Sequence, residues 1–220
     1  MKRKLMIVLA LLLAFALCAC GTQAAVAEPP EEKTVLPAPY FDLLERYRQA
    51  VEENWDREKC AEEGVNALVP VICSPEVGEK VGYALLDLDG DGVQELLIGP
   101  CDDSGLVLAL YTHDGESAKE VFSGWERNSY VCVGDGRFYN HASNSAANSG
   151  DFLYSYADGE LRFEEGVVID GRADPDEPYF SVGDDSWDVS GAEKISEESF
   201  MLRTRGYQAM AQRIEWTEIA

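Results

Sequence analysis

A short run of acidic residues carries the clearest metal-binding chemistry in the sequence. In "LDLDGDGVQE", Asp87, Asp89 and Asp91 occupy every second position, and Glu95 follows. Counted from Asp87, the carboxylates stand at positions 1, 3, 5 and 9, and Val93 at position 7 offers its backbone carbonyl. Because like charges about 4 Å apart repel by about 1 kcal/mol even in water, this spacing indicates a cation. Calcium prefers several oxygen ligands in flexible geometry, so we predict a Ca²⁺ site formed by these five residues.

The segments around this acidic loop (residues 87–95) are apolar and strand-like, as in "VGYALL" and "ELLIG". An EF-hand requires flanking helices and a glutamate at position 12, where this chain has Ile98. The loop instead resembles the strand–loop–strand calcium turn of FG-GAP and VCBS-type blades, with the pattern D-x-D-G-D-G-x-x-[DE]-L. The resemblance implies side-chain ligands at positions 1, 3, 5 and 9 and a carbonyl ligand at position 7. A solvated Asp-Gly hairpin without any ion is the alternative interpretation.

A looser resemblance extends over residues 39–215. The succession of an N-terminal helix, "GYALLDLDGDGVQELLIG", "FLYSYADGELRF" and "KISEESF" is similar to small secreted or lipoprotein-type proteins of Gram-positive anaerobes. Those proteins carry one such loop and have no assigned activity, so the resemblance implies a class and a location but no reaction. The chain has a single copy of the loop, which excludes a closed propeller. A second acidic stretch, residues 170–177, has the charge of a metal site but lacks the spacing.

The N-terminus predicts export and lipid anchoring. Residues 1–19 combine a basic start with an apolar run, and "LCAC" resembles the lipobox of bacterial lipoproteins. That resemblance implies cleavage before Cys20, lipidation of its sulfur and anchoring to the outer side of the cell membrane. An ordinary secretory signal cut after Ala25 or Ala27 is the alternative. Residues 20–38 are small, acidic and proline-bearing, which is typical of a flexible linker.

Charge and cysteine content narrow the range of partners. The chain has 18 basic and 41 acidic residues, a net charge of −23. This disfavours nucleic acid and anionic lipid surfaces as partners, and it favours cations or basic surfaces. Four cysteines lie beyond residue 20, and either two disulfides or four free thiols are compatible with an exported chain. The pairing with the shortest loops joins Cys60 with Cys73 and Cys101 with Cys132.

Residues 39–220 predict a single α+β domain. Apolar residues at three- and four-residue steps predict one amphipathic helix over 39–63, ended by Gly64. Short apolar segments then alternate with Asp-Gly turns, which predicts an antiparallel meander sheet. Ser196 and the acids after it predict the start of a C-terminal helix. We expect both amphipathic helices to pack on the sheet.

The sequence offers little evidence of catalysis. Histidine is the residue type best suited to act as a base near neutral pH, and the chain has two, His113 and His141; no G-x-S-x-G nucleophile elbow is present. Trp125 and Trp187 lie in polar surroundings, where an exposed indole could stack on a ligand such as a sugar. We therefore expect a non-enzymatic cell-surface lipoprotein that binds a protein or glycan. A cell-wall or glycan hydrolase that uses acidic residues is the alternative.

Overall fold

The computed structural model describes residues 35–219 of the 220-residue chain. The predicted signal peptide (1–19), Cys20 and the linker up to residue 34 lie outside the described residues. Within 35–219, no helix is both long and apolar enough to cross a bilayer.

The fold is α+β, as the sequence predicts. The helices are α1 (Phe41–Glu52), which follows a 3₁₀ turn (Ala38–Tyr40), α2 (Arg57–Glu63), α3 (Leu68–Ile72) and α4 (Glu197–Ala209). The strands are β1 (Val81–Leu86), β2 (Glu95–Pro100), β3 (Leu106–Val107), β4 (Ala109–His113), β5 (Ala118–Ser123), β6 (Asn128–Gly134), β7 (Arg137–Ser145), β8 (Asn148–Ala157), β9 (Glu160–Asp170), β10 (Tyr179–Val182), β11 (Glu193–Lys194) and β12 (Thr217–Glu218).

The strands form two antiparallel sheets, whereas the sequence predicts one meander. The first sheet has the order β12-β1-β2-β4-β5, and the second has the order β11-β10-β9-β8-β7-β6-β3. The chain enters the second sheet briefly at β3 and returns to the first at β4, so consecutive strands are not always neighbours. Neither sheet closes into a barrel or a propeller. The local alternation of apolar residues sets each strand, but it carries no information about which sheet a strand joins.

The sheets and helices stack in four layers. Tyr40, Leu43 and Tyr47 of the N-terminal helical region pack against one face of the first sheet. The other face, with Leu97 and Leu110, packs against the second sheet. On the outer face of the second sheet, α4 packs through its two buried aromatic residues, Phe200 and Tyr207. Both expected helix–sheet contacts are therefore present.

Two hairpin turns have the backbone conformation that their Asp-Gly pairs predict. Asp135 and Asp158 adopt positive φ angles of 52° and 55°, and each precedes a glycine that also has positive φ. This geometry matches the type I′ turn that Asp-Gly pairs favour, because its twist suits the flanking strands. The predicted turns at these positions, between β6 and β7 and between β8 and β9, are confirmed.

Two elements differ from the sequence prediction. The helix expected over 39–63 is broken between α1 and α2, where Asn54 has φ 49° and Asp56 caps a new helix by accepting the N–H of Lys59 at 2.8 Å. The segment after α4 contains a strand, β12, that pairs with β1. The C-terminal helix begins as predicted, since Ser196 Oγ accepts the N–H of Ser199 at 3.1 Å.

Candidate metal centre

The acidic loop joins β1 to β2 and brings three carboxylates together. Asp87, Asp89 and Asp91 can each place one oxygen within 4.8 Å of the other two. All three residues are exposed, so an ion can reach them from solvent. Within residues 35–219, no other three His, Cys, Asp or Glu side chains bring ligand atoms this close together. This cluster could therefore hold a metal ion.

Backbone hydrogen bonds set the shape of the loop. Asp87 accepts the N–H of Gly90 at 2.8 Å through Oδ1 and the N–H of Gly92 at 3.1 Å through Oδ2. Asp91 accepts the N–H of Val93 at 2.7 Å. Gly90 and Gly92 have φ angles of 79° and 90°, which a residue with a Cβ adopts only with strain. The Asp-Gly alternation thus curls the chain so that the carboxylates converge.

The loop also contacts the second sheet. Asp89 Oδ2 accepts the N–H of Asp158, in the β8–β9 turn, at 2.9 Å. Gly136 of the β6–β7 turn lies so close to Leu88 that a Cβ there would stand 2.3 Å from the Leu88 carbonyl oxygen. An ion held in the loop would therefore sit at a contact between the two sheets.

Glu95 lies outside this cluster. Its side chain is buried, with the residue 1% exposed, and both oxygens are occupied. Oε2 accepts the N–H of Leu88 at 3.0 Å, while Oε1 accepts the hydroxyls of Tyr156 at 2.9 Å and Thr112 at 3.3 Å. Burial raises the pKa of Glu95. The structure thus places Glu95 as an internal acceptor beneath the loop, and its role as a ligand, like that of the Val93 carbonyl, stays a prediction.

No cation of the protein lies within 4.0 Å of the three clustered carboxylates in the described part of the chain. The second acidic stretch (170–177) differs, because Lys194 Nζ forms ion pairs with Asp174 and, at 3.3 Å, with Glu177. The hydrogen bond from Lys194 holds the pKa of Asp174 below its usual range. That stretch therefore has an internal counter-charge.

The two candidate stacking residues have different environments. Trp125 is 46% exposed and lines a cleft of about 340 Å³ with Asn66 and Glu120. Trp187 is half-buried, and its ring packs edge-on against Phe152 with 5.2 Å between centroids. Trp125 is thus the more accessible of the two indoles.

The two histidines also differ. His113 Nδ1 accepts the N–H of Gly115 at 3.1 Å, and its ring contacts Tyr40 edge-on with 5.2 Å between centroids. His141 Nδ1 lies 2.9 Å from a carboxylate oxygen of Asp151, whose side chain is 3% exposed. Asp151 was missed at the sequence level, because it stands in a strand-like run, "DFLYSYA", and its partners come from other elements.

The four described cysteines carry free thiols, and neither of the short-loop disulfides is formed. Burial raises the pKa of each thiol, Cys60, Cys73, Cys101 and Cys132. A raised pKa lowers the thiolate fraction at neutral pH, which makes these thiols poor nucleophiles.

Comparison of the chain with known protein families, with curated proteins and with solved structures found no match.

Proposed function

We propose that the chain is a membrane-anchored extracytoplasmic lipoprotein whose domain is a binding module stabilised by one calcium ion. One observation carries the calcium site: Asp87, Asp89 and Asp91 converge to within 4.8 Å without a protein cation to neutralise them. Their spacing and the resemblance to FG-GAP-type turns support the same conclusion. In this proposal Val93 contributes its carbonyl.

Calcium fits the donor set better than magnesium does. Exposed carboxylates on a glycine-bearing loop supply hard oxygens at adjustable distances, whereas Mg²⁺ demands near-ideal octahedral geometry and retains its waters. Isolated extracellular calcium modules bind with dissociation constants of roughly 10⁻⁴ to 10⁻³ M. The ion would fix the loop between β1 and β2 and, through Asp89, its contact with the β8–β9 turn. The role is therefore structural.

A thermal melt of the purified protein in EDTA and in excess Ca²⁺ tests this site. Binding stabilises the folded state by about 1.4 kcal/mol for each tenfold of free calcium above the dissociation constant. We expect Ca²⁺ to raise the melting temperature of the wild type and to raise it much less in Asp87→Asn. Asp114→Asn is the matched control, because Asp114 also accepts two backbone N–H groups in an exposed turn. Equal melting temperatures of the wild type with and without calcium would refute the proposed calcium site.

The anchor is proposed from the lipobox, with the lipid on Cys20 and the linker holding the domain away from the membrane. Incorporation of a labelled fatty acid in a bacterial host should occur in the wild type and be lost in Cys20→Ala. Labelling that persists in this variant, or secretion of an unlabelled chain, would favour the ordinary secretory signal.

The ligand of the module is proposed to be a cell-surface protein or a glycan, with Trp125 as its stacking residue. The exposure of Trp125 and its cleft support this role. A glycan or cell-wall array should give a hit that Trp125→Ala removes. Trp187→Ala is the second variant for the array. Because Trp187 packs on Phe152, circular dichroism must first show that this variant is folded.

Hydrolysis of a glycan or cell-wall polymer is the second candidate function. The observation that favours it is the imidazole of His141 oriented by the buried Asp151 carboxylate, an arrangement that suits a general base. Turnover of such a substrate by the purified protein, abolished in His141→Ala, would establish this function. Array binding without turnover would favour the binding module.

A further inference from the structure

One face of the second sheet carries a row of polar side chains across three neighbouring strands. Ser129 of β6 stands directly opposite His141 of β7, which stands directly opposite Asp151 of β8. Directly opposed residues in an antiparallel sheet project from the same face, with Cβ atoms about 5 Å apart. This is the face on which α4 packs, since Thr204 of α4 donates to Asp151 at 3.2 Å.

Asp151 fixes the orientation of His141. The buried carboxylate accepts hydrogen bonds from the Tyr139 hydroxyl at 2.5 Å and from Thr204, and it lies 2.9 Å from His141 Nδ1. Because Nδ1 faces the carboxylate, the other ring nitrogen, Nε2, is directed away from Asp151. The His141 side chain as a whole is 49% exposed. A carboxylate at this distance favours the imidazolium form, in which Nε2 carries a hydrogen.

Arg127 lies in the adjacent row of the same face. The N–H of Ser143 donates to the Arg127 carbonyl at 2.9 Å, which places Arg127 beside a residue two positions along β7 from His141. Arg127 Nη2 donates to Ser143 Oγ at 3.2 Å, and that hydroxyl is in turn 3.0 Å from the Ser145 carbonyl. A hydroxyl therefore positions the guanidinium, and most of its N–H groups remain available.

The guanidinium of Arg127 has no acidic partner within the described part of the chain. Within residues 35–219, no carboxylate lies within 4.0 Å of the Arg127 guanidinium. It shares this with Arg46, Lys119, Arg137, Arg172, Arg203 and Arg205, whereas the remaining cationic side chains there are paired with an acid: Arg48, Arg57, Lys59, Lys80, Arg162, Lys194 and Arg213. The hydroxyl of Ser129 is also weakly bonded, since its only hydrogen bond among the described residues is to the His141 carbonyl at 3.5 Å.

We propose that Arg127, His141 and Ser129 bind one oxyanion group, a phosphate or a sugar carboxylate, of an acidic cell-surface polymer. Adjacent same-face rows on a strand are about 7 Å apart. An oxyanion that accepts charge-assisted hydrogen bonds of about 2.8 Å on opposite sides spans that distance. Asp151 does not repel such a group at full strength, because His141 neutralises it. None of these residues belongs to the acidic loop or to the Trp125 cleft. An experiment that refutes the oxyanion site therefore leaves the proposed calcium-stabilised binding module untouched.

The overall charge of −23 opposes the approach of an anion, but over a limited range. At physiological ionic strength the screening length is about 8 Å, so contacts inside the patch outweigh distant carboxylates. We therefore expect a single monovalent group to bind weakly, and a polymer that repeats the group to bind more strongly through many contacts.

A nuclear magnetic resonance titration of the histidine ring signals with inorganic phosphate tests the site. The chain has two histidines, so His113 serves as an internal reference. Phosphate added in EDTA should shift the His141 signals saturably and leave those of His113 unmoved. Parallel titrations with methyl phosphate and methyl glucuronide distinguish a phosphate from a carboxylate as the preferred group.

Matched arginine variants complete the test. Arg127→Gln should weaken phosphate binding at least about tenfold, because it removes a charge-assisted hydrogen bond. Arg162→Gln is the control and should bind as the wild type does, because Asp158 already occupies its guanidinium. Equal shifts at both histidines, a response linear in phosphate, or wild-type affinity in Arg127→Gln would each overturn the proposal. Loss of the calcium response in Asp87→Asn with phosphate binding intact would show that the two sites are separate.

Discussion

The two acidic stretches of the chain differ in whether a cationic side chain of the protein balances their charge. Residues 170–177 fold around Lys194, whose ammonium group contacts both Asp174 and Glu177. The loop at 87–95 gathers Asp87, Asp89 and Asp91 more closely, yet no cationic side chain within 35–219 contacts them. Charge density alone therefore does not identify a metal site. Residues 87–95 are distinguished by carboxylate oxygens that converge without a cationic side chain of the protein among them.

The largest expected effect is that of a substitution at Glu95, which tests whether this carboxylate is a buried hydrogen-bond acceptor or a ligand of the proposed ion. Glu95→Ala removes the acceptor for Leu88 N–H and for the hydroxyls of Tyr156 and Thr112. We expect a loss of about 2–4 kcal/mol of unfolding free energy, because buried donors lose their partner and a cavity remains. Urea unfolding in EDTA measures it. Glu95→Gln is the control and should lose less, since it keeps an acceptor oxygen.

A contrary result would be equally informative. If Glu95→Ala leaves the stability in EDTA unchanged but removes the calcium response, Glu95 turns outward and ligates the ion, as the spacing of the loop predicts.

Asp91→Asn should change stability in opposite directions with and without calcium. In EDTA the substitution removes a repelling charge, and we expect the unfolding free energy to rise by up to about 1 kcal/mol. In Ca²⁺ at ten to a hundred times the dissociation constant it removes a ligand, and the wild type should exceed the variant by roughly 1–3 kcal/mol. Asp174→Asn should destabilise equally in both buffers, because its partner is Lys194. A calcium-dependent effect in Asp174→Asn would contradict the distinction between the two stretches.

The carboxylate of Asp151 also has a partner within the protein, His141, and this pair predicts a pH dependence. The hydrogen bond to Asp151 raises the pKa of His141 above its unfolded value. The protonated pair therefore stabilises the fold below the unfolded pKa, and this contribution is lost as the pH rises through the folded pKa. Melting temperatures recorded in EDTA between about pH 6 and pH 8 should fall with pH, and His141→Gln should flatten the curve. A fall of equal size in His141→Gln would assign it to other groups.

The smallest expected effect is that of Lys194→Met. Both partners of this lysine are on the surface, and exposed ion pairs contribute little. We expect a slight decrease in melting temperature that calcium does not restore, because residues 170–177 lack ligand spacing. Restoration by calcium would show that the lysine substitutes for a divalent ion.

Local chemistry was readable from the sequence. The Asp-Gly turns, the Ser196 cap of α4 and the convergence of Asp87, Asp89 and Asp91 depend on residues close together in the chain. Backbone conformation at glycine and aspartate decides such features with little influence from distant segments.

Features that depend on contacts between distant parts of the chain could not be predicted from the sequence. The break between α1 and α2 requires Asn54 to adopt a positive φ, which the apolar stripe does not reveal. The burial of Glu95 depends on a hydroxyl from Tyr156 in the other sheet. Asp151 meets His141 only because β7 and β8 pair in one register, and a shift of one residue would have sent the two side chains to opposite faces.

The hydrogen bond between Asp89 and Asp158 joins positions that are 69 residues apart in the chain. A carboxylate that receives this bond has one oxygen partly committed before any ion arrives. Substitutions in the β8–β9 turn, or a side chain added at Gly136, would therefore change the affinity of the proposed site for an ion although Asp87, Asp89 and Asp91 themselves are unchanged.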